Sequence, residues 1–374
     1  MCHLSATGCA TRRQRVSEML AEQRLDAAVL TDVRDVYYFT GTLLPSDLPA
    51  VCLLSADGRT HLIGPAGYSV DDVHCLVQYE WNYRGTRDPD AFANMVNSMA
   101  DAWQPARGTR FGVQQHSLLN CVRHGIERFG GRELVPIEAF LAAMQRRKDT
   151  DEVEIVRGSI RVNLAAYDAV AHAIRPGANE LDVLSAGRRG STKAAGETVF
   201  HDGDYQCGQF NGPARDRPID AGELYIVDAW TCYRGYWSDM ARTFVVGIPA
   251  TDVQHALFDH IRWVQSEVPR LLRPGADGME IYGAIDEMIR EHPPLADAGL
   301  VHHGGHAIGL RNHEMPDINL RRGGMLEPGN IICIEPGGYF AAARYGVRLE
   351  DMYLITEQGC ENLCPGKVEL LVCR

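Results

Sequence analysis

The chain has 374 residues, 45% hydrophobic and 23% charged, an ordinary globular composition at a length that suits two domains better than one. A net charge of −12 with no Lys/Arg-rich stripe argues against nucleic acid as a partner, and apolar runs as short as Ala27–Leu30 and Ile331–Ile334 argue against a membrane span. Met1–Arg15 has no apolar core of signal-peptide length, and the 11 cysteines include no C-x-x-C pair, so the expectation is a cytoplasmic protein with reduced thiols.

In chain order, residues 14–136 alternate helical and strand patterns. Val16, Met19, Leu20 and Leu25 recur at roughly helical spacing, and Ala27–Leu30 follows as a buried strand. Ala50–Leu54 and Thr60–Gly64 read as strands around the turn at Ala56-Asp57-Gly58. Phe92, Met95, Val96, Met99 and Trp103 form one helical face. Arg110–Val113 and Leu134–Ile137 read as further strands, with a helix over Leu118–Phe129 between them. This predicts an α/β domain over residues 1–143. The charged stretch Gln145–Thr150 then opens a long helix, with Thr150 as its cap and Asp151, Glu152 and Glu154 at the positive end of the dipole. Val153, Val156, Ile160, Leu164, Tyr167 and Val170 form its buried stripe, and Pro176-Gly177 ends it.

The second domain, residues 144–374, carries an internal echo. Ile174-Arg-Pro-Gly-Ala178 lies between two helices, and Leu272-Arg-Pro-Gly-Ala276 repeats the phrase 98 residues later. Each copy leads into strand-rich sequence, Glu223–Val246 and Asn330–Thr356. A repeated helix–helix–strand unit implies a pseudo-two-fold domain with a site between its halves.

Five residues of this domain stand out chemically. Asp228 ends the apolar run Leu224–Val227, and Asp239 lies eleven residues on, with Arg234-Gly235 between them as a hairpin turn. A hairpin puts the two carboxylates on adjacent strands facing one side. His302, His303, His306 and His313 then crowd twelve residues, with glycines that permit close backbone approach. Glu335 ends the apolar strand Ile331–Ile334, and Glu350 sits in an apolar alternation continued by Met352, Tyr353 and Leu354. A carboxylate at a buried strand position is costly unless paired or bound to metal. Arg348 can pair one of them, so a structural ion-pair network is the competing reading. Together, the carboxylates of Asp228, Asp239, Glu335 and Glu350 and the imidazole of His306 suit two divalent metal ions. Mn²⁺, Co²⁺, Zn²⁺ and Fe²⁺ match hard oxygen donors with one nitrogen. Two such ions about 3.5–4 Å apart share a water and lower its pKa toward about 7, which gives a hydroxide nucleophile without Ser or Cys.

At these residues the sequence resembles the pita-bread metallopeptidases: prolidase, Xaa-Pro aminopeptidase, methionine aminopeptidase and their non-metal relative creatinase. Tyr38-Phe-Thr-Gly41 resembles the creatinase-type amino-terminal motif, and Arg146–Arg157 the helix that opens the catalytic domain. Asp228, Ser238-Asp-x-x-Arg-Thr-Phe244, Gly305-His-x-Ile-Gly-Leu310, His313-Glu-x-Pro316, Glu335-Pro-Gly337 and Gly346-Val-Arg-x-Glu-Asp351 follow in family order, so the likeness runs from about residue 12 to 357. It implies a creatinase-type α/β amino-terminal domain followed by an α+β pita-bread domain with an internal pseudo-two-fold repeat. Carried over by position, it implies that Asp228 binds one metal, that Asp239 and Glu350 bridge both, and that His306 and Glu335 bind the second. Glu335 is the implied general base and acid. His313 is the implied donor to the substrate carbonyl or developing oxyanion; His302 and Arg348 are further candidates to line the substrate site. Relatives of this architecture form homodimers, which makes Tyr37 and Tyr38 candidates to reach a partner's site.

The implied activity is hydrolysis of an amide C–N bond, by default that of an Xaa-Pro dipeptidase or aminopeptidase acting on short peptides. Two departures point to an alternative, a non-peptidase of the same fold: a small-molecule amidase, another C–N hydrolase or a lyase. Many prolyl-specific relatives carry a second histidine seventeen residues before the first metal Asp, where this chain has Asn211, a donor that cannot become a cation. His201, ten residues earlier, fits that role only with a remodelled loop. Two positions after Asp228, where the family commonly has a small residue, stands Trp230, which narrows the pocket or offers a face to a cationic group.

Overall fold

A computed structural model describes residues 3–46, 48–68, 70, 73–79, 95, 108–128, 130–210, 212–364, 366 and 368–374. The chain divides into two compact units, Met1–Ala143 and Met144–Arg374.

The first unit has helices α1 (Ala6–Gln23), α2 (Val33–Thr40), α3 (Asn120–Arg128) and the start of α4 (Glu138–Arg146). Its strands are β1 (Ala27–Leu30), β2 (Val51–Ser55), β3 (Thr60–Pro65), β4 (Cys75–Tyr79), β5 (Arg110–Val113) and β6 (Glu133–Pro136). They form one mixed sheet in the order β4-β3-β2-β1-β5-β6. Alternation sends Ala27, Val29, Val51, Leu53, Phe111 and Val113 into a core with Val122 and Ile126 of α3. The sequence reading has no counterpart for α2, which Asp32 caps by accepting the Arg34 N–H at 2.9 Å. It also lacks β4. Of the helix expected over Phe92–Trp103, Met95 alone lies within the described residues; it is helical and buried. Tyr37 and Tyr38 are both buried, and Arg12 stacks 4.9 Å over the Tyr38 ring and donates to its carbonyl.

The second unit repeats one motif. Helices α5 (Thr150–Ala173) and α6 (Glu180–Ala195) lead into strands β7 (Phe200–Asp204), β8 (Leu224–Tyr233) and β9 (Tyr236–Val246). Helices α7 (Asp252–Glu267) and α8 (Gly278–Arg290) then lead into β10 (Gly305–Ala307), β11 (Glu314–Ile318) and β12 (Ile331–Ile334). Five strands complete the unit: β13 (Gly337–Tyr339), β14 (Gly346–Arg348), β15 (Asp351–Thr356), β16 (Gly359–Asn362) and β17 (Leu371–Cys373). The sheet orders are β17-β9-β8-β7 and β11-β10-β12-β15-β16, with β13 and β14 as a separate pair. This is the pita-bread arrangement, with one sheet built on each helix–helix–strand half, antiparallel except where β17 pairs β9 in parallel. The N-cap of α5 is Asp149 rather than Thr150: the Asp149 N–H donates to the Glu152 carboxylate at 2.8 Å, and that buried carboxylate also accepts from the Tyr236 hydroxyl at 2.8 Å.

A seam joins the halves. The Glu350 N–H donates to the Ala241 carbonyl at 3.1 Å, the Arg348 N–H to the Thr243 hydroxyl at 3.1 Å, and Arg242 to the Glu350 carbonyl at 2.7 Å.

Candidate metal centre

The first wall of the centre is the β8–β9 hairpin. Arg234 and Gly235 both have positive φ, 49° and 81°, which gives a two-residue loop closing Tyr233 onto Tyr236. In that register Asp228 stands opposite Ala241, and Asp239 opposite Trp230. Opposed residues share a sheet face, as do residues two apart, so Asp228, Trp230 and Asp239 project to one side. Asp204, at the end of β7, stands opposite Asp228 and joins that face. Helix α5 holds β8 in place. Ser159, Asn163 and Tyr167, spaced four apart, donate to the carbonyls of Thr231 (2.9 Å), Ala229 (2.7 Å) and Val227 (3.2 Å).

The second wall is β10, β12 and β15. His306 stands opposite Cys333, and Cys333 opposite Met352. Their neighbours in sequence, Ala307, Ile332, Ile334 and Tyr353, point the other way into the apolar core with α7 and α8. Gly305 permits the close strand approach, since a Cβ there would lie 2.0 Å from the Cys333 carbonyl oxygen.

The five sequence-predicted residues are all buried: Asp228 6% exposed, Asp239 4%, His306 2%, Glu335 4% and Glu350 1%. Donor atoms of Asp228, Asp239 and Glu350 lie within 4.8 Å of one another, as do those of His306, Cys333 and Glu350, so Glu350 belongs to both groups. His306 Nε2 is 3.9 Å from Asp239 Oδ2. His306 Nδ1 faces the Ala307 carbonyl at 3.0 Å, which makes Nδ1 the donor and leaves the Nε2 lone pair toward the carboxylates. Glu335 enters neither group; its Oε1 is 3.1 Å from His303 Nδ1 and its Oε2 3.9 Å from Arg348 Nη1.

Burial dominates the electrostatics. It pushes Asp239 well above the usual carboxylate range, with Asp228 and Glu335 adding repulsion. Glu350 rises likewise, through burial and then Asp239 and Asp228. Burial lifts Glu335 to about 8 against the pull of Arg348, with Asp228 and Asp204 adding to the rise. Asp204 reaches about 6 through burial and Asp228. His306 falls to about 3 because burial and then His313 disfavour its cation.

Arg348 compensates only part of this charge. Its Nη1 donates to Asp228 Oδ2 at 2.5 Å and its Nε to the Tyr339 hydroxyl at 2.9 Å. That hydroxyl is 2.9 Å from His302 Nε2, and His302 Nδ1 is 2.6 Å from the His303 carbonyl. His302 is therefore held inside a hydrogen-bonded chain, and His303, named in the histidine cluster but given no role from the sequence, stands nearer Glu335 than His302 does. Asp239 Oδ1 and Glu350 Oε1 are buried with no hydrogen-bond partner among the described residues. Orphaned carboxylate oxygens inside a protein are costly, and divalent cations would supply the compensation that one guanidinium does not. The donor set, mostly oxygen with one imidazole, fits them.

Residues 154–357 match the model of metallopeptidase family M24, and residues 12–146 that of the creatinase/prolidase N-terminal domain. The chain belongs to metallopeptidase family M24. It is thus a metal-dependent hydrolase with a creatinase-type amino-terminal domain. The chain is 26% identical over 366 residues to the Xaa-Pro dipeptidase of Pyrococcus furiosus, with 96% of this chain and 99% of that protein covered. It is 23% identical over 370 residues to an uncharacterized peptidase, YqhT, of Bacillus subtilis, with coverage of 96% and 99%. In fold it is similar to the prolidase of Pyrococcus horikoshii (TM-score 0.73, 21% identity) and the X-Pro aminopeptidase of Thermotoga maritima (TM-score 0.77, 20% identity), each covering 96% of this chain and 99% of theirs.

The remaining predicted residues of this M24 chain sit as follows. The His313 ring is exposed and stacks on His306, with centroids 3.8 Å apart and planes at 25°. Trp230 is half-buried on the ligand face, directly opposite Asp239. Asn211 lies outside the described residues; its neighbour Phe210 packs edge-on against Tyr339 at 4.4 Å. His201 is on the far face of β7, 2.8 Å from the Thr231 hydroxyl and 2.9 Å from the Tyr205 hydroxyl, so it does not supply a second histidine to the centre. Glu314 of the His-Glu-x-Pro phrase serves structure, accepting from buried Lys148 at 2.7 Å.

Proposed function

We propose that this chain hydrolyses the amide C–N bond of short Xaa-Pro peptides, as a dipeptidase or aminopeptidase, with two divalent cations in the centre. The observation that carries the reading is Glu350, shared by two donor groups and left with a buried oxygen without a partner among the described residues. The reading assigns Asp228 to one ion, Asp239 and Glu350 to both, and His306 and Glu335 to the second. A pair of Mn²⁺, Co²⁺, Zn²⁺ or Fe²⁺ ions supplies Lewis acidity and a water acidified toward pH about 7. Glu335, held high by burial and oriented by His303, takes the proton of the attacking water and returns it to the leaving nitrogen. His313 donates to the substrate carbonyl as negative charge develops there. Arg348 and His302 orient the pocket through Tyr339, and Asn211 and Trp230 shape it. The name of the Pyrococcus furiosus relative, Xaa-Pro dipeptidase, supports the substrate class. The same reading takes the chain as a cytoplasmic homodimer with no nucleic-acid or membrane partner; no helix among the described residues is long and apolar enough to cross a membrane.

The test is turnover of Ala-Pro, Xaa-Pro-Xaa peptides and N-acyl amides by the full chain loaded with each ion. Proline-peptide cleavage that chelation abolishes and added ions restore is the expected result. The position of Trp230 on the ligand face, opposite Asp239, favours a second reading, a specialised small-molecule amidase, other C–N hydrolase or lyase. Turnover of N-acyl amides with inert proline peptides selects that reading and removes the first.

A further inference from the structure

Cys333 occupies a place the two-cation reading does not use. It lies in the apolar run Ile331–Ile334, where a thiol passes for one more small hydrophobe. Its register says otherwise. Opposite both His306 and Met352, it is on the β12 face that looks toward the centre, while Ile332 and Ile334 fill the core behind. Its Sγ, a nitrogen of His306 and a carboxylate oxygen of Glu350 all lie within 4.8 Å of one another. Independently, Glu350 Oε1 is buried and without a partner among the described residues, which points to a ligand in the same group.

We propose that the Cys333 thiolate is a direct donor to the second cation, so that this half of the centre selects thiophilic ions. The inference rests on the two-cation reading and deepens it. The Cys333 sulfur would join His306 and Glu350, two of the donors that reading gives the second ion. Binding displaces the thiol proton to solvent as the sulfur–metal bond forms. A soft thiolate favours Zn²⁺, Co²⁺ or Cd²⁺ over Mn²⁺, for which carboxylates and water are the better ligands.

Titration of the full chain with Co²⁺ tests this. A near-ultraviolet thiolate-to-Co²⁺ charge-transfer band is expected beside the visible d–d absorption. Cys333→Thr keeps the d–d absorption, loses the band, and lowers the preference for Zn²⁺ over Mn²⁺ in competition by about tenfold or more. Visible absorption without the near-ultraviolet band, or a band unchanged in Cys333→Thr, overturns the proposal and leaves the two-cation reading standing. No d–d absorption at all sinks that reading and the thiolate with it. Should Cys333→Thr fail to fold, X-ray absorption at the zinc edge of the unmodified protein decides. A sulfur neighbour at about 2.3 Å supports the donor, and a shell of nitrogen and oxygen alone removes it.

Discussion

The catalytic unit buries two clusters of carboxylates and treats them in opposite ways. At the start of α6, Glu180 is fully buried and accepts from Arg215 N–H, Nε and Nη2 at 2.8, 3.0 and 2.6 Å, and Glu223 accepts from Arg217 at 2.7 Å. Each negative charge there has a guanidinium against it. In the candidate centre, Asp204, Asp228, Asp239, Glu335 and Glu350 face Arg348 and histidines that burial makes harder to charge. Both clusters obey the rule that an interior charge must be compensated. The first is compensated by the chain itself, and on the proposed reading the second is completed from outside. A deficit of positive charge, rather than the presence of carboxylates, separates a site from a structural network.

That contrast can be broken at several points. Glu335→Gln should lower kcat by about 10²–10⁴-fold when measured at saturating metal; an unchanged kcat removes Glu335 as the base. Glu180→Gln should cost about 3 kcal/mol in denaturant unfolding, because it removes the charge partner of Arg215, while metal stoichiometry stays as in the parent. Loss of metal instead, with stability intact, would erase the distinction between the clusters. Asp239→Asn should weaken metal binding by about 10–100-fold yet raise the melting temperature of the metal-free protein, since it relieves repulsion rather than creating an unpaired charge. A drop in that temperature would mean the carboxylates were already compensated.

The smallest effect concerns His201, which is compensated by hydrogen bonds to Thr231 and Tyr205 instead of charge. Burial depresses it to about 4, below its unfolded value of 6.5, so the folded state binds fewer protons between those limits. Its contribution is fully present above pH about 6.5 and is lost as pH falls toward about 4, about 1–2 kcal/mol of it by pH 5. His201→Gln should flatten that part of the stability–pH curve; an identical slope in both proteins sinks the assignment.

The sequence carried much of this because strand chemistry is local. Arg234-Gly235 announces the turn that sets Asp228 beside Asp239, and Glu335 and Glu350 are conspicuous as carboxylates amid apolar strand residues. Other features had no local signature. Asp204 closes β7, whose sequence Phe-His-Asp-Gly-Asp lacks apolar alternation and gives no hint of facing Asp228. His302 and His303 lie outside regular strands, where no periodicity says which ring turns inward. Ser159 and Asn163 interrupt the apolar pattern of α5, and their purpose appears only when β8 lies beneath them. The α5 cap moved by one residue because Asp149 and Thr150 are both good caps and the Glu152 carboxylate chose between them.

The seam at Glu350 ties the repeat to the chemistry. Its backbone amide hangs on Ala241 of the first sheet, while its side chain lies within 4.8 Å of donors from both sheets. The halves cannot slide past one another without dragging that carboxylate from its neighbours. A nick in the exposed connection at 249–253 would therefore leave fragments whose association tracks cation occupancy.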